Sequence, residues 1–356
     1  MRVPVQSWAG IGFALGSAVL FGVSTPFAKA LLGDVSPWLM AGLLYLGVGL
    51  GLGFIKLTTM WTGGELREAP LRRKDFAWLA AVVLFGGIAG PALLMLGLAS
   101  VTASTASLLL TLEGVATLGI AWVVYRENVD LRIGLGAAAI LLGVAVLSWE
   151  GVDFGLNMGA LAIAAACLCW GIDNNLTRKL SSADPIQIAM IKGLTAGTVN
   201  ILLSLSQGAV LPAWPITMTA MAIGFVGYGL SLVMFIYGLR YLGSARTGAY
   251  FSLAPFIGTS VAVIAFGDPV TTQLIIAGLL MMAGLYLHLI ERHEHDHHHA
   301  EQTHEHAHVH DAHHRHEHAP TDPVAEPHTH LHRHPPLIHR HPHYPDIHHR
   351  HGHSSG

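Results

Sequence analysis

The chain has 356 residues, of which 52% are hydrophobic and only 12% are Asp, Glu, Lys or Arg. A soluble domain carries about twice that share of charge, so a large water-soluble core is excluded and a membrane composition is indicated. Charge is also divided: residues 1–290 hold 14 basic and 12 acidic side chains, whereas residues 291–356 hold 5 Arg against 10 acids.

In chain order, ten apolar runs have about the length a spanning helix needs: 8–30, 37–57, 76–99, 103–125, 132–149, 157–178, 185–205, 215–239, 244–266 and 272–290. Only Arg2 precedes the first run, which is long and followed by others, so no cleavable signal is expected. Basic residues gather in every second connection. Arg67, Arg72, Arg73 and Lys74 separate the second and third runs, and Arg126 and Arg132 flank the fourth-to-fifth turn. Arg178 and Lys179 follow the sixth run, and Arg240 and Arg246 flank the eighth-to-ninth turn. The alternate connections carry Asp34, Glu150, Asp153 and Asp268 instead. This bias predicts a multi-pass protein of the inner (plasma) membrane with both termini cytoplasmic.

The helices are rich in small residues. Gly12 and Gly16, Gly47 and Gly51, and Gly49 and Gly53 are GxxxG pairs, which let backbones approach closely in lipid. Packing within the chain is the expected use, with a homodimer as the alternative. Cys167 and Cys169, two residues apart on a helix, point about 200° apart and read as packing residues rather than a disulfide.

Two segments recur. "LFGVSTPFAKALL" (20–32) resembles "CWGIDNNLTRKLS" (169–181) at an offset of 149, and residues 97–129 align without gaps to 238–270 at an offset of 141. Ten spans then divide into two halves of five, and an odd number inserts the halves in opposite orientation. Inverted repeats are a transporter architecture with the solute site where the halves meet.

In these features the chain resembles the EamA branch of the drug/metabolite transporter superfamily over about residues 8–290. The resemblance rests on the 5+5 layout and on an aromatic-Gly start in each repeat's first helix (Phe21-Gly22, Trp170-Gly171). A basic residue near that helix's end (Lys29, Arg178) and a closing acid of the fourth helix (Glu127, Asp268) add to it. "LAPF" at 253–256 looks like the family's proline in the second repeat's fourth helix; the first repeat departs, with Gly114 aligned to Pro255. The resemblance implies a secondary transporter, usually an exporter of small solutes. It leaves the substrate open.

The expected fold is therefore an all-α integral membrane protein with ten transmembrane helices in two inverted five-helix repeats, 1–150 and 151–290. A disordered His-rich tail, 291–356, follows. Ionisable residues within membrane runs mark pathways. Glu113 stands midway along the fourth run with Thr117 on its face, Asp173 precedes Asn174 and Asn175 in the sixth, and Lys192 lies in the seventh. These six are the candidate substrate or proton pathway. Lys192 is a counter-ion for either Glu113 or Asp173. Lys29, Arg178, Lys179 and Arg240 lie near helix ends and can snorkel, while Glu127 and Asp268 cap or pair there.

The tail holds 24 of the chain's 25 His, with 10 acids and seven Pro. Low apolar content predicts disorder, and H-x-H spacings with interleaved acids predict binding of Ni²⁺, Co²⁺ or Zn²⁺. The candidate ligands are His293, His295, His297, His298, His299, His304, His306, His308, His310, His313, His314, His316 and His318. A pH sensor and an inert low-complexity tail are the competing readings.

The expected function is proton-coupled efflux of a divalent transition metal, nickel or cobalt, with the tail as cytosolic collector, as the resemblance to His-tailed nickel/cobalt resistance members implies. The first alternative is an exporter of a small metabolite, amine or amino acid whose tail only buffers metal. The second is a non-transporting membrane metal sensor or store. No enzyme is expected, since 1–290 shows no nucleophile–base pairing, phosphate loop or zinc spacing. No cofactor is required by any of these readings. The expected partners are the lipid bilayer and a small solute or metal ion, with no nucleic acid.

Overall fold

The computed structural model describes residues 5–62, 71, 73–125, 131–149, 157–177, 180, 184–242, 244–289, 294–299, 302–308, 328–334 and 337–342. It separates into two compact units, residues 1–290 and residues 291–356.

The first unit is helical. Eight helices are long and apolar enough to cross a membrane: α1 (Trp8–Leu31), α2 (Pro37–Trp61), α3 (Phe76–Ser100), α4 (Ala103–Val124), α6 (Met158–Thr177), α7 (Pro185–Ser206), α8 (Trp214–Gly238) and α9 (Thr247–Phe266). Two shorter apolar helices, α5 (Leu131–Leu147) and α10 (Thr272–His288), occupy equivalent places at the end of each half. Among the described residues, eight of the ten expected spans thus have full length, and the fifth and tenth runs form the two shorter helices. α5 and α10 meet through small residues: Gly136 lies against Gly284, and Gly143 against Ala277 and Met281.

Local chemistry sets the starts of the paired helices. α2 begins at Ser36-Pro37 and α7 at Asp184-Pro185, each an N-cap residue followed by Pro at the first helical position. Asp184 Oδ1 accepts from Ile186 N at 2.9 Å, closing the α7 cap.

α2 and α7 cross at a glycine-lined contact that reveals the internal symmetry. A Cβ on Gly49 would strike Leu194 N, and a Cβ on Gly197 would strike Leu46 N. Leu194 and Gly197 lie 148 positions after Leu46 and Gly49, so the two contacts are one contact seen from both repeats. The ends repeat the relation. Ser36 Oγ meets Ser204 Oγ at 3.1 Å, and Lys56 Nζ donates to Asp184 Oδ2 at 2.9 Å; Asp184 and Ser204 again stand 148 positions after Ser36 and Lys56. A two-fold pseudo-axis through the α2–α7 crossing explains all four.

Both halves also carry the same irregularities. α3 contains a π-helical turn, Val83–Ala89, and α8 contains another, Phe225–Leu230. α4 is broken at residues 110–111 and α9 at 252–253. Such breaks are tolerated at membrane depth only where other groups satisfy the freed backbone. The GxxxG glycines serve contacts within the chain: Gly16 faces Met234, Gly47 the Met221 backbone, Gly49 α7 and Gly51 Phe225. Gly12 has no near neighbour.

In the second unit the described residues form four strands. β1 (Glu294–His299) pairs antiparallel with β4 (Leu337–Pro342), and β2 (Gln302–His308) with β3 (His328–His334). The H-x-H alternation that suggested metal ligands is also the period of a strand. Six of the seven tail prolines fall between or beyond the strands, and the seventh, Pro342, ends β4, so the ladders are not interrupted. His295, His297, His298, His299, His304, His306 and His308 lie in β1 and β2. His293, His310, His313, His314, His316 and His318 lie outside the described residues.

Candidate functional site

All six pathway candidates converge where α3, α4, α6 and α7 meet. The break in α4 ends just before Leu112, which places Glu113 in the first turn of a fresh helix segment. An anion is stabilised there by the helix dipole and by backbone N–H groups that have no partner within the segment. One turn on, Thr117 Oγ1 donates to the Glu113 carbonyl at 2.8 Å.

α6 brings the amide side chains to this carboxylate. Asn174 Nδ2 donates to Glu113 Oε1 at 2.9 Å and to Thr117 Oγ1 at 3.2 Å. Asn175 Nδ2 donates to the carbonyls of Thr117 at 3.0 Å and Gly171 at 2.8 Å, tying α6 to α4. The two helices approach closely because Gly171 leaves no room for a Cβ against Ala116 and Thr117.

Asp173 turns the other way. It forms an ion pair with Lys192 of α7 and accepts from Thr177 Oγ1 at 3.2 Å. The counter-ion question left open by the sequence is thus answered: Lys192 pairs with Asp173, and the Glu113 carboxylate accepts from the Asn174 amide. Both members of the pair are largely buried, with side chains 8% and 16% exposed.

Four contributors were not singled out in the sequence as site residues. Gly86, in the α3 π-turn, leaves the space into which Asp173 and Lys192 fit. Its carbonyl accepts from Tyr45 Oη at 2.7 Å and from Trp170 Nε1 at 3.1 Å. Asn200 Nδ2 reaches the next carbonyls, Gly87 at 3.3 Å and Ile88 at 3.4 Å. Trp170 was legible only as part of an aromatic-Gly pair, and the Gly86-Gly87 doublet in an apolar run was the remaining signal.

The flanking charges have structural roles. Lys29 Nζ donates to the carbonyls of Leu98 at 2.6 Å and Ala99 at 3.2 Å, at the end of α3. Asp268 Oδ2 accepts from Ser104 N at 2.7 Å, at the start of α4. Cys167 is buried with Sγ 3.6 Å from the Leu109 carbonyl, and neither cysteine is in a disulfide. Glu127, Arg178 and Lys179 lie outside the described residues.

The symmetry exposes a chemical imbalance. The counterparts of Asp173, Asn174 and Asn175 are Ser24, Thr25 and Pro26; those of Lys192, Glu113 and Thr117 are Leu44, Ala254 and Gly258. At these six positions one side of the pseudo-axis carries three charges, Glu113, Asp173 and Lys192, and their counterparts carry none. The neutral side is aromatic: Phe21 packs on Tyr228 with ring centroids 5.5 Å apart and on Phe251 at 5.4 Å, and Tyr45 packs on Tyr228 at 6.0 Å.

Comparison with known proteins agrees with this architecture. A model of the EamA-like transporter family matches residues 8–149 and again residues 157–290. An "Uncharacterized transporter" of Methanothermobacter thermautotrophicus is 28% identical over 288 residues, covering 76% of this chain and 83% of the relative. A "Probable amino-acid metabolite efflux pump" of Salmonella typhimurium is 25% identical, covering 77% and 93%. A "Probable terminal-alkyne amino-acid exporter" of Streptantibioticus cattleyicolor is 27% identical, covering 70% and 87%. A solved crystal structure shares the fold with a TM-score of 0.57 at 20% identity, over 79% of this chain and 94% of that one. With the family pattern present twice, over the two helical repeats whose contact places the polar cluster, the chain belongs to the EamA-like transporter family.

Proposed function

We propose that this transporter exports a small zwitterionic metabolite of the amino-acid type, and that its solute site is the Glu113–Asn174 and Asp173–Lys192 cluster. One observation carries the reading: two carboxylates and one ammonium stand side by side in otherwise apolar helices, each already paired with a neutral or opposite group. A substrate ammonium can displace Asn174 from Glu113, and a substrate carboxylate can compete with Asp173 for Lys192. The aromatic half across the pseudo-axis suits an apolar side chain. A proton taken by either carboxylate frees its partner, which gives an exchange step without a membrane histidine. The relatives named as amino-acid exporters support the solute class and the direction. The charge bias of the connections supports a cytoplasmic location for both ends of the helical unit.

This reading replaces nickel or cobalt as first choice of cargo. A bare cation needs several free donors, yet Asp173 is occupied by an ammonium and Glu113 by an amide N–H. Among the described residues no three His, Cys, Asp or Glu side chains gather to hold a metal ion.

Reconstituted vesicles carrying the full chain and an imposed pH difference test this directly. Movement of labelled amino acids, lost in Glu113→Gln, supports the reading. Movement of Ni²⁺ or Co²⁺ with no amino acid transported returns the cargo to metal.

A further inference from the structure

We infer that the carbonyl of Gly227, in the α8 π-turn, accepts a hydrogen bond from the solute, whose side chain therefore carries an O–H or N–H donor. The inference rests on the amino-acid reading above and narrows it. The head of the solute is held on the charged side of the pseudo-axis, and one donor on its side chain is read on the aromatic side.

The charged half shows what a π-turn carbonyl requires. Bonds in a π-turn reach one residue further than in an α-helix, so its carbonyls fall out of step with the N–H groups beyond it. The Gly90 N–H, which an α-helix would give to the Gly86 carbonyl, bonds Phe85 instead. The next residue is Pro91, which has no N–H to give. The Gly86 carbonyl is left to side chains, and both its lone pairs are taken: by Tyr45 Oη at 2.7 Å and by Trp170 Nε1 at 3.1 Å.

The equivalent carbonyl in α8 lacks these donors. The Ser231 N–H, which an α-helix would give to Gly227, bonds the carbonyls on either side of it, Val226 and Tyr228. The residues equivalent to Tyr45 and Trp170 are Gly193 and Phe21, and neither side chain has a proton to donate. Phe21 holds the equivalent place, its ring centroid 5.5 Å from that of Tyr228 in the turn. The hydroxyl beside the turn belongs to Ser24, which lies against Gly227 but donates to the Phe21 carbonyl at 2.6 Å. A bond from Leu232, one residue beyond Ser231, would fill one lone pair of Gly227, and a carbonyl has two. An acceptor beside the rings of Phe21 and Tyr228 discriminates by chemistry. A solute with a donor satisfies it, and an apolar solute of the same shape leaves it buried and unpaired.

Proteoliposomes carrying the full chain, with an imposed pH difference, test this with two nearly isosteric pairs: homoserine against norvaline, and asparagine against leucine. The donor-bearing member of each pair should be carried with a kcat/KM about 5- to 10-fold higher, the worth of one net hydrogen bond. Phe21→Trp supplies the indole N–H that Trp170 supplies in the other half, and should bring both ratios close to one. Phe21→Gln and Phe21→Met are matched in size, one with a donor and one without. The Gln variant should also bring the ratios close to one, and the Met variant should leave them as they were. Ratios near one in the unaltered chain, with leucine and norvaline still moving, overturn the inference and leave the amino-acid reading intact. So do ratios that survive in the Trp and Gln variants, or that fall as far in the Met variant. A chain that moves no amino acid overturns that reading, and the inference with it.

Discussion

Ser24 and Asp173 stand 149 positions apart at equivalent points of the two repeats, and each lies against the glycine of a π-helical turn in the other repeat: Ser24 against Gly227, Asp173 against Gly86. The shared geometry holds a hydroxyl on one side and a carboxylate on the other. Backbone architecture is thus symmetric while chemistry is not. The contact between helix and π-turn carries an ion pair in one half only.

Asp173→Asn should strand Lys192 in a largely buried position. Removing one partner of a buried pair costs about 3–5 kcal/mol, much of it the orphaned charge. The single variant should lose thermal stability and transport together. Asp173→Asn with Lys192→Met should regain most of the melting temperature and none of the transport. Recovery of transport in the double variant would make the pair purely structural.

Gly86→Ala and Gly227→Ala separate the site from the scaffold. A methyl on Gly86 meets the ends of the Asp173 and Lys192 side chains, which can swing away; a methyl on Gly227 meets the Ser24 Cβ, which cannot. Gly86→Ala should therefore lower transport by about tenfold or more with little change in melting temperature. Gly227→Ala should lower the melting temperature. Fluorescence-detected melting of both variants beside a flux assay distinguishes the two outcomes.

Much of this was legible beforehand because it depends on pattern. Long apolar runs, alternating loop charge and the two recurring segments locate the helices and their pairing into halves. Glu113, Asp173, Asn174, Asn175, Lys192 and Thr117 stood out since polar groups are costly in lipid wherever they sit. What could not be read is which of them touch. The Asp173–Lys192 pairing depends on the α3 π-turn, and a π-turn leaves no periodic trace in an apolar run. Tyr45 and Trp170 look like core residues until the Gly86 carbonyl is placed between them. In the tail the H-x-H alternation fits both a ligand pattern and a strand period, and the polar composition does not decide between them.

Phe21→Ala should change which solutes are carried more than how fast. Phe21 joins Tyr228 and Phe251 on the neutral side of the pseudo-axis, away from the ion pair. Truncating it removes apolar contact from a substrate side chain and leaves the groups that would hold its head. Competition assays should show the preference for bulky over small amino acids falling, with glycine-sized solutes affected least. An equal loss for all solutes would remove the aromatic cluster from recognition.

The two ends of the α2–α7 crossing differ in strength, and that difference should bias the transport cycle. At one end Lys56 and Asp184 form an ion pair with side chains 17% and 8% exposed; at the other, Ser36 and Ser204 share a hydrogen bond. Inverted-repeat transporters alternate by opening first one side and then the other of a fixed site. If the ends of α2 and α7 part during that motion, the charged end is the harder to separate, because a charge-assisted bond is roughly twice as strong as a neutral one. Lys56→Ser with Asp184→Ser makes the two ends alike and should raise the population open at the former ion-pair end. Asp184→Ser keeps an N-cap hydroxyl for α7, so the helix start survives. A reporter cysteine at Ile55, in a background without Cys167 and Cys169, reads the result through its rate of labelling by a water-soluble maleimide. Faster labelling in the double serine variant, with an unchanged melting temperature, is the expected outcome. An unchanged rate would mean that α2 and α7 move as one rigid pair around the site.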